Sequence, residues 1–266
     1  GYKWSTIACM TISIADILVP KEKKELLVRN GFPADYLEMQ YTCPDCQDTG
    51  FIGGEKCHCF KKMQMQFIYQ QSHLGRIVRT QNFDHFDLTR FDDRELIDGA
   101  GGKTNRQYMA EVRNLLLDWT QNFDERHGNV ILMGNPGTGK TFLINCVAKA
   151  LMDSYHSVIY FTSTDLFDSF SRALRHDVEE QEETEDAILN CDLLVIDDLG
   201  TEMNNSYTTS RLFYVLNQRM VLHKSVMIST NLNFRAMQDR YSDRIVSRIM
   251  AEYDYIPLYG VDQRLR

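Results

Sequence analysis

The chain of 266 residues carries 29 Lys and Arg against 37 Asp and Glu, a formal charge of −8. Its 43% hydrophobic and 25% charged residues are those of a soluble globular protein, which excludes a disordered chain, a collagen-like repeat and a small disulfide scaffold. The acidity also excludes a protein that coats nucleic acid by bulk charge, while leaving room for a local basic groove.

Residues 1–40 read as helical sequence broken at Gly31 and Pro33. The stretch Trp4–Pro20 contains Asp16 and lacks an A-x-A site, so it is not read as a signal peptide. No run of 18 apolar residues predicts a transmembrane helix. The chain opens on Gly1 and not Met, which reads as a fragment without its true N-terminus. CPDCQDTGFIGGEKCHC (43–59) is rich in Gly and Asp and predicts turns with a short hairpin. Lys61–Arg79 reads as a helix with Met63, Phe67 and Ile68 on one face. Residues 82–102 read as loop, ending in the flexible run DGAGG. Asn105 is expected to cap a helix through about Phe123, with Met109, Val112, Leu115, Leu116 and Trp119 on one face.

Strands and helices then alternate. NVILMG (129–134) is a continuous apolar run, as for a strand buried on both faces. A helix from Lys140 to about Tyr155 follows, then a strand at 157–163 and a helix from about Thr164 to Arg175. DLLVIDDL (192–199) is the third strand, followed by a helix over about Thr208–Leu222. SVMIST (225–230) is the fourth strand, Asp239–Met250 the next helix and YIPLY (255–259) a fifth strand. This order predicts an α/β fold with a parallel central sheet and flanking helices. The segment DVEEQEETED (177–186) holds seven acidic residues, and without it the charge of −8 becomes −1. It reads as a solvated surface helix or loop.

GNPGTGKT (134–141) has the form G-x-x-x-x-G-K-[ST] between a predicted strand and a predicted helix, the context a phosphate-binding loop requires. Gly134, Asn135, Pro136, Gly137, Thr138, Gly139, Lys140, Thr141 and Phe142 form the candidate cradle for ATP. Lys140 is expected to reach the β- and γ-phosphates, and Thr141 to ligate Mg²⁺. LLVIDDLG (193–200) ends a strand in two carboxylates: Asp197 as a candidate for Mg²⁺, Asp198 for polarising the attacking water, with Glu202 a weaker alternative. Ser229, Thr230 and Asn231 end the fourth strand. A polar side chain there either orients water at the γ-phosphate or caps a turn. Arg244 and Arg248 share a helical face. They are either solvated or, in an edge-to-edge assembly, one enters a neighbour's site. Arg264 is a further candidate phosphate contact.

Seven cysteines are placed unevenly, with Cys43, Cys46, Cys57 and Cys59 within 17 residues. Four thiolates in two short loops suit a structural, tetrahedral Zn²⁺. His58 can replace one cysteine, and reduced free thiols are the alternative. From Lys56 to Arg90 there are six Lys and Arg and two Asp, with Phe67, Tyr69, Phe83 and Phe86. These aromatics either stack bases or pack a core, and the second reading is favoured.

Together YTCPDCQDTGFI, CHC, GNPGTGKTFL, VIYFTSTDLF, LLVIDDLGTE, MISTNL, YSDRIVSRI and YGVDQR resemble the DnaC/DnaI family of bacterial replicative-helicase loaders. These are AAA+ ATPases related to the IstB transposition helpers, and the resemblance covers about residues 36–266. DnaI-like proteins also carry a Cys cluster before the ATPase domain. The resemblance implies an AAA+ P-loop NTPase domain over 81–266, preceded by an N-terminal helical and zinc-binding region over 1–80. It implies Asn231 as sensor 1, Arg248 with Arg244 as the arginine-finger motif, and Arg264 as sensor 2. ATP, Mg²⁺ and Zn²⁺ are the implied cofactors. The implied partners are the hexameric replicative helicase, bound through the N-terminal region, single-stranded DNA, and further copies of the chain joined through the ATP sites. A weak, partner-stimulated ATPase in the cytoplasm is expected, with DNA contacts from loops such as those near Thr164–Phe170. Two departures stand out: the region before the cysteines is short, and little sequence follows Arg264 to form a helical lid. Two rival readings remain. One is an IstB-like transposition helper on duplex DNA, against which the cysteine cluster weighs. The other is a zinc-stabilised ATP-binding adaptor without useful hydrolysis, left open by Asp198 where many ATPases carry Glu.

Overall fold

The computed structural model describes residues 20–37, 39, 41–57, 59–60, 77–125, 128–173 and 178–262. The helical readings over 1–19 and 61–76 lie outside them. The N-terminal part contains helix α1 (Pro20–Arg29) and a hairpin of β1 (Phe51–Ile52) and β2 (Glu55–Lys56), as the Gly-rich spacer predicts.

The C-terminal part begins in the expected loop, where two short 3-10 helices form instead, Phe83–His85 and Leu88–Arg90. Asn82 and Asp87 accept the first amides of each, the local bonding that Asn and Asp offer at turns. Phe83 is buried, and Phe86 stacks on Phe91 with ring centroids 5.5 Å apart, so these aromatics belong to the core. Phe67 and Tyr69 lie outside the described residues.

Helix α2 (Asn105–Gln121) is capped by Thr104, not Asn105. The Thr104 hydroxyl accepts the Gln107 amide while the Gln107 side chain accepts the Thr104 amide, a reciprocal capping box. Met109, Val112 and Leu116 are buried, whereas Leu115 is 55% exposed and falls off the predicted face.

The sheet consists of β3 (Asn129–Gly134), β4 (Val158–Thr162), β5 (Leu193–Leu199), β6 (Ser225–Thr230) and β7 (Tyr253–Leu258). Its order is β4-β5-β6-β3-β7 and every pairing is parallel. The helices are α3 (Lys140–Asp153), α4 (Ser163–Ala173), α5 (Val178–Asn190), α6 (Ser206–Val221), α7 (Phe234–Arg240) and α8 (Asp243–Glu252). Val130 and Leu132 of β3 pack with α2 and α3 on one face, and Ile131 and Met133 pack with α4 to α8 on the other. Both faces are covered, which is why the strands read as unbroken apolar runs.

From Val178 on, the acidic segment lies in α5, with Glu185 accepting bonds from Arg211 and Tyr214 of α6. The single helix expected over Asp239–Met250 is two helices. Tyr241 adopts extended backbone (φ −113°, ψ 169°) and is buried, and Ser242 then starts α8. Burying the tyrosine outweighs continuing the helix. Thr164–Phe170 lies in α4, as the helix expected from about Thr164 requires, so the DNA-contacting loop that the resemblance implies near these residues is helix there: Leu166, Phe167 and Phe170 are buried, and Asp165 and Asp168 are exposed. Among the described residues, no helix is long and apolar enough to cross a membrane.

Candidate nucleotide site and cysteine cluster

β6 lies between β3 and β5, so the chain segments leaving these three strands meet at one edge of the sheet. Ligands of open parallel sheets bind at such an edge. The loop 134–141 joins β3 to α3 there. Gly137 (φ 75°) and Gly139 (φ 100°) adopt left-handed backbone, open to glycine without steric cost. Gly134 meets a different demand: a Cβ there would lie 2.2 Å from the Leu258 carbonyl oxygen of β7. Gly139 is the N-cap of α3 and brings no side chain to its first amides, which leaves that helix end suited to an anion. Thr138 is buried and donates to the Asn135 carbonyl across Pro136 at 2.9 Å. Phe142, one residue past the loop, lies edge-on to Phe86.

The Lys140 ammonium folds back into the loop. It donates to the Gly134 and Asn135 carbonyls, each at 2.8 Å, and to Asn231 Oδ1 at 2.7 Å. Asn231 thus stands at the loop lysine and not at a remote turn. The Thr141 hydroxyl donates to both oxygens of Asp197, at 3.0 and 3.3 Å. Asp197 also accepts from the Tyr160 phenol at 2.6 Å and from the Ser229 hydroxyl. Burial and then the adjacent Asp197 charge push the Tyr160 phenol well above its ordinary pKa, so it stays a donor. Oxygen ligands on adjacent elements, Thr141 and Asp197, are the donor set a hard cation such as Mg²⁺ takes.

Asp198 lies within the register shift between Ile196 and Leu199, where the strand bulges. Its φ is 55°, a left-handed conformation that Asp adopts more readily than Glu. The Asp198 amide donates to Ser229 Oγ at 2.9 Å, and its carbonyl accepts from Ser163 and Thr201. Ser229 therefore ties the Asp197 carboxylate to the Asp198 backbone. Glu202, the weaker candidate for the water, is 4% exposed and bonded elsewhere, to the Gly200 amide, Arg240 and Tyr241.

The chain leaving β7 crosses this loop. Tyr108 donates to the Pro257 carbonyl at 2.7 Å, and Asn105 donates to the Tyr259 carbonyl at 3.3 Å. A Cβ on Gly137 would lie 1.9 Å from Asp262 Oδ1, so this carboxylate rests against the phosphate-binding turn. Arg264 lies outside the described residues. Arg244 is exposed in the first turn of α8. Arg248 rests on α6: its guanidinium lies 5.2 Å from the Phe213 ring centroid and donates to Met220 Sδ at 3.3 Å.

Cys43, Cys46, Cys57 and Cys59 bring four Sγ atoms within 4.8 Å of one another. Cys43 and Cys57 are 3.8 Å apart at sulfur, Cys46 and Cys59 3.3 Å. A tetrahedral Zn²⁺ with bonds of about 2.3 Å has S···S edges of about 3.8 Å, so the four can hold such an ion after small shifts. The Gly50 amide donates to Cys46 Sγ, and Asp48 accepts the amides of Thr42 and Cys43, which fixes the first Cys loop. His58 lies outside the described residues.

Sequence reading missed Tyr160, the Ser229 bridge and Asp262. Tyr160 had a signal: it is two residues before Thr162, the register partner of Asp197, so strand alternation puts it on the Asp197 face. Asp262 had none, because its contact depends on the path of the chain after β7.

Residues 100–264 match the family described as IstB-like ATP binding protein. The chain is 25% identical to the phage-like element PBSX protein XkdC of Bacillus subtilis, over 77% of each chain. It is 23% identical to the replicative helicase loader DnaC of Escherichia coli, over 71% of each. Among solved structures, a DnaC helicase loader aligns with a TM-score of 0.54 at 21% identity, over 68% of this chain and 98% of that one. The chain spans about half the length, 52%, of the DnaA structure from Aquifex aeolicus, whose fold it shares. The sheet, its helices and the loop after β3 are those of an AAA+ P-loop protein, and the chain belongs to the IstB-like ATP-binding protein family, with DnaC-type helicase loaders among its relatives.

Proposed function

We propose that this protein is an ATP-dependent loader of a replicative DNA helicase. The observation that supports it most is the junction of Lys140 with Asn231 and of Thr141 with Asp197 at one sheet edge. It occurs in a chain whose relatives include a replicative helicase loader. The loop amides and Lys140 bind the phosphates. Thr141 and Asp197 hold Mg²⁺, which neutralises phosphate charge when bound. Asn231 orients the attacking water and keeps Lys140 aligned, and Asp198 polarises that water. Arg248, with Arg244 one turn before it, acts on the site of a neighbouring copy, and Arg264 contacts the phosphates of its own. Arg248 must leave Phe213 to do so, so turnover is weak until assembly or a partner draws it out. Residues 1–80, braced by a structural Zn²⁺ on Cys43, Cys46, Cys57 and Cys59, form the helicase-binding region, and 81–266 form the ATPase domain. The ATP state sets affinity for single-stranded DNA and helicase in the cytoplasm.

ATPase rate against protein concentration, with and without single-stranded DNA and helicase, tests this reading. A rate indifferent to concentration, to both additions and to Arg248→Ala overturns it. The family description favours one second reading, a transposition helper. Preference for duplex over single-stranded DNA in a binding titration would establish that reading instead.

A further inference from the structure

The turn that follows Asp198 is tied to the start of α8 by a single buried carboxylate. Glu202 lies three residues past β5, and its side chain is 2% exposed. One oxygen accepts the Gly200 amide at 2.9 Å. The other accepts the Tyr241 phenol at 2.5 Å and Arg240 Nε at 3.3 Å. Arg240 also donates to the Glu202 carbonyl. Tyr241 is the buried break between α7 and α8, so its phenol fixes where α8 begins, and Arg244 follows three residues later. At the other end, Gly200 stands at φ 109° with Leu232 of the β6 exit packed against it. The Asp198 carbonyl is held by Ser163 and Thr201. The turn is therefore set in one conformation, with Glu202 its link to α8.

Burial of a carboxylate disfavours its charge, yet bonds from Tyr241 and Gly200 outweigh this and hold Glu202 below its ordinary pKa. A buried, charged, multiply bonded group carries structure rigidly, since removing one partner leaves the other exposed to a large desolvation cost. Among the described residues, the inward face of α8 is apolar: Ile245, Val246 and Ile249.

We propose that Glu202 is a positioning residue that transmits the conformation of the turn beyond Asp198 to α8, so that a chain's own nucleotide state sets the arginines it offers to its neighbour. The part concerning the neighbour rests on the reading of α8 as a subunit edge.

Two measurements separate the claims. The first is amide hydrogen exchange over 241–252 with and without Mg²⁺ and a non-hydrolysable ATP analogue, in the wild type, Glu202→Gln and Tyr241→Phe. We expect the nucleotide to change exchange of α8 in the wild type, and both variants to lose most of that change while binding the analogue within about threefold of wild type. No change in the wild type overturns the proposal whatever α8 does in an assembly. So does loss of folding or of analogue binding in both variants, which would make the cluster purely structural.

The second is complementation. Glu202→Gln chains should turn over ATP at least tenfold more slowly in assemblies, and adding Asp198→Asn chains, with an inert site and an intact α8, should restore a severalfold higher rate. No restoration means that Glu202 acts only within its own site and overturns transmission. If Arg244→Ala and Arg248→Ala both keep full turnover, the subunit-edge reading fails, while the exchange result still decides the link to α8.

Discussion

Lys140 Nζ and Asn231 Oδ1 are 2.7 Å apart although 91 positions separate them in the chain. The lysine opens α3 and the asparagine follows β6, so the bond exists only because β6 sits beside β3. It joins the lysine proposed to meet phosphate to the asparagine proposed to sense it.

Asn231→Ala should therefore impair turnover more than binding. Lys140 keeps two carbonyl partners, so nucleotide affinity should change no more than about threefold. Loss of an oriented polar group at developing charge costs on the order of a hundredfold in turnover. Steady-state kinetics beside a nucleotide titration checks this, and equal losses in both would contradict the assignment.

Asp198 sits at φ 55°, which sets the choice of carboxylate. Asp198→Asn keeps that backbone and should bind ATP while losing roughly a hundredfold or more in hydrolysis. Asp198→Glu should lower stability by about 1 kcal/mol, because longer side chains disfavour left-handed backbone. Denaturant midpoints and single-turnover rates measure the two effects. A faster Asp198→Glu enzyme of undiminished stability would argue against this account.

The Asp262 carboxylate rests on Gly137, where phosphate oxygens would approach. Asp262→Asn should tighten ATP binding severalfold, since a like charge near a water-exposed anion costs about 1 kcal/mol. Gly137→Ala should do the reverse, with a Cβ forced into Asp262 and a φ of 75° to sustain. Calorimetric titration of both variants tests the pair; weaker binding by Asp262→Asn would show that this carboxylate assists and does not oppose the nucleotide.

Protein prepared without added metal should contain about one zinc per chain, and Cys46→Ser should remove most of it. Chelation should loosen the segment around 43–59, read as faster amide exchange or proteolysis there. Absence of zinc from the native protein would refute the metal assignment.

Acid should destabilise the fold through two carboxylates. Burial opposes the charge of Asp192, but Lys224 at 2.9 Å and the amide and hydroxyl of Ser157 more than compensate and lower its pKa. Glu202 is lowered likewise. A lowered folded pKa gives stability that is present above the unfolded carboxylate value of about 4 and is lost as the pH falls through the folded values. Urea midpoints should hold from pH 8 to about 5 and drop below 4. Asp192→Asn should be less stable at pH 7 and show a shallower acid decline; an unchanged slope would remove it as a contributor.

The strand–helix alternation and the loop 134–141 were legible in the sequence because each rests on local chemistry. Runs such as NVILMG and SVMIST reflect burial on both faces, and glycine spacing within eight residues defines the phosphate cradle. Boundaries failed where tertiary burial overrode local pattern. Tyr241 entered the core and split a helix, and Leu115 turned outward. Arg219, a charged residue of α6, is fully buried and donates to the Ile188, Cys191 and Ser225 carbonyls. Those acceptors come from the end of α5 and the start of β6, and no local signal announces them.

The sequence by itself determined the class of protein, the candidate residues for phosphate and Mg²⁺, and the four thiolates that can share a metal, since those depend on side-chain chemistry at fixed spacing. Only the tertiary structure decided the working geometry. Strand order put Asn231 on Lys140 and Ser229 beneath both aspartates. The bulge in β5 turned Asp198 into left-handed backbone, the exit of β7 laid Asp262 on Gly137, and α6 took hold of Arg248. Each of these joins residues distant in the chain, and such contacts are fixed by the packing of whole elements and not by spacing.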